Sequence, residues 1–132
     1  MNEREKDERS RPDRPGQIVI PLLYAPQLAQ QGAQWVLTLW VADPGDLAYS
    51  FRDLLAKIRA VLDALHATSV QLPPEVPIED FVAGTLQWGD AAYRLYFERS
   101  LGFFELSSPC EARVREVLAA ISPAVFWYHD LP

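Results

Sequence analysis

The stretch FVAGTLQWGDAAYRLYFERSLGFFELSSPCEARVREVLAAI, residues 81–121, decides the fold of this chain. β-Branched and aromatic residues alternate with polar ones in three runs, which predicts antiparallel strands at 81–88, 91–99 and 103–107. Gly89-Asp90 predicts a two-residue turn of type II′, because glycine accepts the positive φ required at the first central position. The stretch therefore predicts a three-stranded antiparallel meander that leads directly into a helix.

Two helices are predicted from their start signals and their apolar spacing. The first begins at Asp43-Pro44, where the aspartate can cap and the proline suits the first helical position, and it ends near Ala67. The second has Ser108 as its cap, Pro109 in first position and Glu111 closing a capping box. Each helix carries one apolar stripe that we expect to be buried. The first stripe consists of Leu47, Phe51, Leu54, Leu55, Ile58, Val61, Leu62 and Leu65, and the second of Val114, Val117, Leu118 and Ile121.

The N-terminal third predicts two further strands. Residues 17–24 are apolar but contain Pro21, which cannot donate to a neighbouring strand and therefore favours an edge position. Residues 34–42 have the nearly continuous apolar character of an inner strand. The other segments are expected to be a polar connection at 27–34, an extended crossing at 68–80, and a last strand or apolar tail at 124–128.

Together these elements predict a single α+β domain at residues 16–132. Its antiparallel sheet, built from the meander at 81–107 and the N-terminal strands, is packed on one face by two helices. Residues 1–15 are predicted to be a disordered charged tail, because they carry five basic and five acidic side chains and almost no apolar ones. The expected oligomeric state is a monomer or a homodimer.

The net charge of −6 lies on the body of the protein, because the first fifteen residues are neutral. The rest of the chain carries seven basic and thirteen acidic side chains. Such a surface repels the phosphates of nucleic acids, so no nucleic-acid partner is expected. It would attract and orient a basic protein partner. The alternative is that the acidity only aids solubility.

The strand register determines which side chains face water. Pairing Trp88 with Ala91 places the apolar residues of both strands against the helices and leaves the opposite face polar. Aromatic rings among adaptable polar groups suit a protein interface, although an ordinary solvated sheet face has the same composition. The predicted partner-binding residues are Phe81, Thr85, Gln87, Arg94, Tyr96, Glu98, Phe103 and Glu105.

The turn between the second and third strands is less determined by its sequence. If Leu101-Gly102 forms the loop, Glu98 lies directly opposite Glu105, and facing like charges are destabilising. Arg94 or Arg99 would offset this repulsion, or a cation on a partner would. A three-residue loop would instead turn Glu105 inward, which is less favourable.

No arrangement of residues typical of catalysis is recognisable. Cys110 is the single cysteine, which excludes an internal disulfide and favours a reducing cytoplasm. His66 and His129 stand apart and give no metal-ligand spacing. The pair Glu98 and Glu105 is the one that an enzyme could use as acid and base. We therefore predict no catalytic site, no metal, no cofactor, no membrane span and no secretory signal.

In general form, the segments Gly84–Trp88 and YRLYFERSLGFFELSS (93–108), with the helix ending at Ile121, resemble bacterial immunity proteins. These are small, acidic, cytoplasmic proteins that neutralise polymorphic toxins. The resemblance covers about a third of the chain and carries no site residues over. It implies a non-catalytic module that docks directly on a toxin domain, with carboxylates facing the toxin's basic side chains.

Two alternatives remain open. A secretion chaperone would have a similar size and acidity, would usually be a dimer, and would bind an extended effector segment. A small enzyme or ligand-binding domain would have a pocket between the sheet and the long helix, near Trp35, Trp40 or Trp88.

Overall fold

A computed structural model describes residues 17–130, which form eight strands and two α-helices. The strands are β1 (Ile20–Leu22), β2 (Gln27–Gln31), β3 (Gln34–Trp40), β4 (Thr68–Gln71), β5 (Phe81–Trp88), β6 (Ala91–Glu98), β7 (Phe103–Ser108) and β8 (Val125–Trp127). The helices are α1 (Phe51–Asp63) and α2 (Glu111–Ile121), and a 3₁₀ turn (Ser122–Ala124) follows α2. Six strands form one antiparallel sheet in the order β2-β3-β7-β6-β5-β4, while β1 and β8 form a separate parallel pair.

The predicted register of the hairpin formed by β5 and β6 is confirmed. Trp88 pairs with Ala91, and the same register continues to the pair of Val82 with Phe97. Gly89 has a φ of 58°, and no non-glycine residue among those described has a positive φ. Asp90 is therefore not left-handed, which agrees with a type II′ turn and excludes type I′.

Both helices cover the same face of the six-stranded sheet, which confirms the α+β class. The two helices bury five apolar residues of α1 and three of α2 against this face. At the centre, the Phe51 ring stacks on Phe97 with centroids 5.1 Å apart and contacts Phe104 at 5.3 Å. Each such aromatic pair adds about 0.5–1.5 kcal/mol beyond the area that it buries. Neither described helix lies on the other face of the sheet.

The predicted start of the first helix is wrong. Asp43 and Asp46 lie in a turn, closed by a 3.1 Å bond from the Asp46 amide to the Asp43 carbonyl. Gly45 has a φ of 78°, a left-handed conformation that a continuing helix does not allow. The helix begins after Ser50, whose hydroxyl accepts from the Asp53 amide at 3.2 Å.

The ends of the predicted helices also shift inward. The first helix ends at Asp63, so Leu47 and Leu65 fall outside it and are 66% and 60% exposed rather than buried. The second helix starts at Glu111, and its cap position is Cys110. Ser108 belongs to β7, and its hydroxyl accepts from the Cys110 amide at 3.1 Å.

Two segments predicted to be connections are strands at the edges of the sheet. The polar segment 27–34 forms β2 and a tight turn into β3, made possible by Gly32 with a φ of 63°. The first four residues of the predicted crossing at 68–80 form β4, which pairs with β5. Of the predicted N-terminal strands, β1 lies outside the main sheet, where Pro21 faces Phe126 of β8.

Arg99 connects three loops at one end of the sheet. Its guanidinium is buried, and it donates to the carbonyls of Glu79, Asp46 and Tyr49 at 2.9, 2.7 and 2.9 Å. Its Cζ atom lies 5.5 Å from the centroid of the Phe97 ring. These bonds fix the loop before α1 and the loop before β5 against the β6–β7 connection.

Within residues 17–130, no helix has the length and apolar character needed to cross a bilayer. The charged tail predicted at residues 1–15 lies outside the described part of the chain.

Candidate functional site

The eight predicted partner-binding residues all lie on the face of the sheet that the helices leave uncovered, called here the open face. They occupy alternate positions of β5, β6 and β7, so the pleat directs them to the same side. Phe81, Thr85, Gln87 and Arg94 are exposed, and the other four are half-buried. The strand periodicity therefore brings together in space all the residues that it predicted to share a face.

The predicted pairing of Glu98 with Glu105 is wrong. The connection between β6 and β7 has four residues, Arg99–Gly102, so Glu98 faces Phe103 and Glu105 faces Tyr96. The observed loop differs in length from the predicted one by an even number of residues, so the alternation of inward and outward side chains is unchanged. Glu105 therefore still points outward, as predicted. The two glutamates are diagonal neighbours instead of directly opposed ones.

Aromatic rings surround the two glutamates. The Phe103 ring contacts Trp40 edge-on, with centroids 5.5 Å apart, and lies 5.9 Å from the Tyr96 ring. Phe81, opposite Glu98 on the neighbouring strand, is 69% exposed. We call the group Phe81, Tyr96, Glu98, Phe103 and Glu105 the acidic half of the open face.

The two glutamates differ in their electrostatic environment. Hydroxyl groups of Tyr96 and Ser100 each donate to Glu98 at 2.7 Å and lower the pKa of its carboxyl. Burial raises the pKa of Glu105, and the neighbouring charge of Glu98 raises it further. As the pH rises, Glu98 therefore loses its proton before Glu105 does. The charged form of Glu105 is disfavoured, and a nearby cation would stabilise it.

No basic residue among those described offsets this charge. Neither glutamate forms an ion pair within residues 17–130. Of the two predicted sources of compensation, neither Arg94 nor Arg99 supplies it, because the Arg99 guanidinium donates to three carbonyls and the Arg94 side chain bonds to no described residue. The acidic half thus presents two carboxylates without a counter-ion from the described body of the protein.

A hollow of about 270 Å³ opens beside Glu98. Its walls include Asp80, Leu47 and the rings of Phe81 and Tyr96. Arg99 also lines the hollow, but its guanidinium donates to three backbone carbonyls. Leu47 and Phe81 are the most exposed large apolar residues of the described chain. Two acidic residues at an apolar-walled hollow match a lysine or arginine side chain, whose aliphatic stem packs on apolar groups while its head meets carboxylates.

Thr85, Gln87 and Arg94 lie on the other half of the open face. They line a larger hollow, of about 550 Å³, together with residues of β3, β4 and β7. Among the described residues that line this hollow, Arg94 is the only cation and none is acidic.

Of the candidate catalytic residues, only Glu98 and Glu105 are neighbours, on the open face, whereas the two histidines and the cysteine lie apart from one another. The His66 ring lies against Trp88 at 5.6 Å, the His129 ring lies 6.0 Å from Tyr24, and Cys110 is exposed at the start of α2. Across residues 17–130, no three His, Cys, Asp or Glu residues are grouped as a metal site would require. Trp88 belongs to the core, where its indole N–H donates to the Leu62 carbonyl at 3.0 Å.

Several residues at or beside this face are not predicted by the sequence patterns. The helix start at Asp43 places Leu47 in a buried helical stripe, whereas Leu47 lies in the exposed loop before α1. The extended crossing predicted at 68–80 leaves Ser69 and Gln71 of β4 out of the sheet. The sequence signal that could have revealed this strand is the β-branched, apolar Val70 between the polar Ser69 and Gln71.

No protein-family model matches the chain, and comparisons with curated proteins and with solved structures find no match either.

Proposed function

We propose that this protein is a non-catalytic binding module whose acidic half docks on a basic protein partner. The observation that carries the proposal is the neighbouring pair Glu98 and Glu105, which have no ion-pair partner among the described residues, with Glu98 also lining the hollow walled by Leu47 and Phe81. Interface energy concentrates where an apolar or aromatic anchor meets a complementary charge that becomes desolvated on binding. A lysine or arginine of the partner, with its stem in the hollow and its head between the carboxylates, meets that description.

The body's net charge supports the same partner chemistry. Seven basic and thirteen acidic side chains give the described residues an excess of negative charge. Such a field accelerates the approach of a basic protein and disfavours an acidic one. Combined with the resemblance to immunity proteins, this makes a toxin domain the partner class that we propose.

Reversing the two charges tests the docking surface. We expect Glu98→Lys with Glu105→Lys to leave the fold intact and to weaken partner binding roughly tenfold or more, because two attractive contacts become repulsive. The matched control is Glu111→Lys with Glu116→Lys, which changes the charge equally on α2, on the helix side of the sheet. The partner to use is a basic protein encoded beside this one that is toxic alone and harmless when both are co-expressed. Calorimetry on the purified pair measures the affinities.

Two results would contradict the proposal. One is an affinity that the open-face double variant leaves unchanged or that the α2 variant reduces equally. The other is a neighbouring basic protein that is neither toxic nor bound.

The pH dependence of binding provides a second prediction. The pKa of Glu105 is raised in the free protein, so just above the ordinary range of glutamate its carboxyl is still partly protonated. A docked cation stabilises the carboxylate and lowers this pKa, so binding releases a proton in that window and affinity falls as the pH is lowered through it. Calorimetry at a pH just above the ordinary pKa range of glutamate, in two buffers of different ionisation enthalpy, measures this release.

Glu105→Gln should abolish the proton release, whereas Glu111→Gln should leave it unchanged. Release that persists in Glu105→Gln would show that Glu105 does not face the partner's cation.

A further inference from the structure

The larger hollow on the open face has the opposite electrostatic character from the acidic half. Three of its lining residues, Thr85, Arg94 and Ser107, are cross-strand neighbours on β5, β6 and β7. Gln71 of β4 borders the hollow on one side and Gln34 of β3 on the other. Hydroxyls, amides and one guanidinium therefore converge on about 550 Å³, a volume typical of small-ligand sites.

The guanidinium in this hollow has no protein counter-ion among the described residues. Other arginines of this part of the chain are engaged, Arg52 by Glu79 and Arg115 by Glu111, for example. The Arg94 side chain makes no hydrogen bond or ion pair with any described residue, and the residue is exposed. A planar guanidinium held on a strand between two hydroxyl-bearing neighbours presents its donors in the geometry that a carboxylate accepts bidentately.

A second, independent observation concerns Gln34. Its Oε1 atom is buried and accepts no hydrogen bond from any described residue, a situation that costs free energy unless a donor is supplied. Because Gln34 lines the hollow, a rotation of its side-chain amide would bring this oxygen within reach of a ligand's hydroxyl groups. The hollow therefore suits a ligand with an anionic group at Arg94 and hydroxyl groups elsewhere.

We propose that this hollow binds a small carboxylate that carries several hydroxyl groups, the chemistry of a hydroxy acid or a sugar acid. One guanidinium matches a single negative charge, whereas a phosphate dianion in a protein with a net charge of −6 would require further cations. Among the described lining residues, the only aromatic ring belongs to Tyr93, which is 3% exposed, so this lining offers no aromatic surface on which a nucleobase could stack.

Titration of the protein alone tests this site, with D-glucuronate as the probe and amide and arginine Nε–H resonances as the readout in NMR spectra. We expect saturable shifts at Thr85, Arg94 and Ser107, and weaker binding of the uncharged analogue D-glucose. Arg94→Gln should reduce the affinity at least tenfold, and Arg94→Lys by less, because it keeps the charge but loses the fork. The control Arg115→Gln, which removes an exposed cation from α2, should leave the affinity unchanged.

The proposal is overturned by an absence of saturable shifts, by equal affinity in Arg94→Gln, or by inorganic phosphate binding more tightly than D-glucuronate. Because no partner protein is used and the acidic half is not altered, failure here would leave the proposed docking surface standing. Conversely, Glu98→Lys with Glu105→Lys should not weaken glucuronate binding, since neither glutamate lines this hollow.

Discussion

Replacing Arg99 by methionine is expected to lower the free energy of unfolding by about 3 kcal/mol, because buried carbonyls lose a charged donor and three loops lose their common tie. Arg99 is 7% exposed, and its guanidinium donates to the carbonyls of Glu79, Asp46 and Tyr49. Methionine fills much of the same volume without offering a donor, so the loss reports on the hydrogen bonds. Urea denaturation measures this loss, and the slope of the unfolding free energy against urea concentration should stay unchanged.

Two further variants separate the contribution of Arg99 from that of charge alone. Arg94→Met removes an exposed arginine whose side chain bonds no described residue, and it should change the free energy of unfolding by no more than about 0.5 kcal/mol. Arg99→Lys keeps a charge but cannot serve three carbonyls as a planar fork, so it should recover only part of the loss. A stability of Arg99→Met close to that of the wild-type protein would show that water replaces the lost donors.

The loops tied by Arg99 also shape the hollow beside Glu98. Arg99 bonds to Asp46 and Tyr49 on either side of Leu47, and to Glu79, which precedes Asp80. The two loops that it holds therefore carry Leu47 and Asp80, which both line the hollow. Loosening them should weaken partner binding even where the protein stays folded. The same residue therefore links the stability of the fold to the form of the candidate site.

Local patterns predicted the open face because the side-chain period of a strand is a local property. Alternation in β5 and β6, with Gly89 at the turn, is enough to fix which residues share a side. A shift of one residue would have exposed every apolar side chain of the hairpin, so no competing register is available.

The helix start could not be predicted in the same way, because two capping signals compete. Asp43-Pro44 is one, and Ser50 with Asp53 three residues later is the other. The choice depends on Gly45, whose amide donates to the Arg99 carbonyl at 2.8 Å, and on the Arg99 side chain bound to the same loop. These partners are more than fifty residues away in sequence, so no local pattern displays them.

The two hollows were also beyond local reasoning. Each combines side chains from separate elements, Leu47 with Glu98 in one and Gln34 with Arg94 in the other. The hollows form only because of the strand order and of the positions that the loops take at the ends of the sheet. The sequence predicts the polar character of the face, whereas the division into an acidic half and a carboxylate-free half requires the strand order and the loops.

Gly102→Ala is expected to be the second severe substitution, with a loss of about 3 kcal/mol in unfolding free energy, because it combines left-handed strain with a backbone clash. Gly102 has a φ of 74°, and a Cβ there would collide with the Ala42 carbonyl oxygen. Relieving the collision breaks the bonds that the Val41 and Ala42 amides donate to the Gly102 carbonyl at 2.9 and 3.3 Å. Thermal or urea unfolding measures the loss.

Gly32→Ala is the matched control for this experiment. Gly32 has a φ of 63°, but a Cβ added there would meet no described atom within 4 Å, so its replacement should cost only the strain of a left-handed alanine, about 1 kcal/mol. The difference between the two variants isolates the contact between the β6–β7 loop and the chain after β3. That contact holds the four-residue loop which sets Glu98 opposite Phe103, so Gly102→Ala should also disturb the acidic half, whereas Gly32→Ala should not. Equal losses in the two variants would mean that the loop moves away from Ala42 without cost, and that the position of Glu98 relative to Glu105 is fixed by the strands alone.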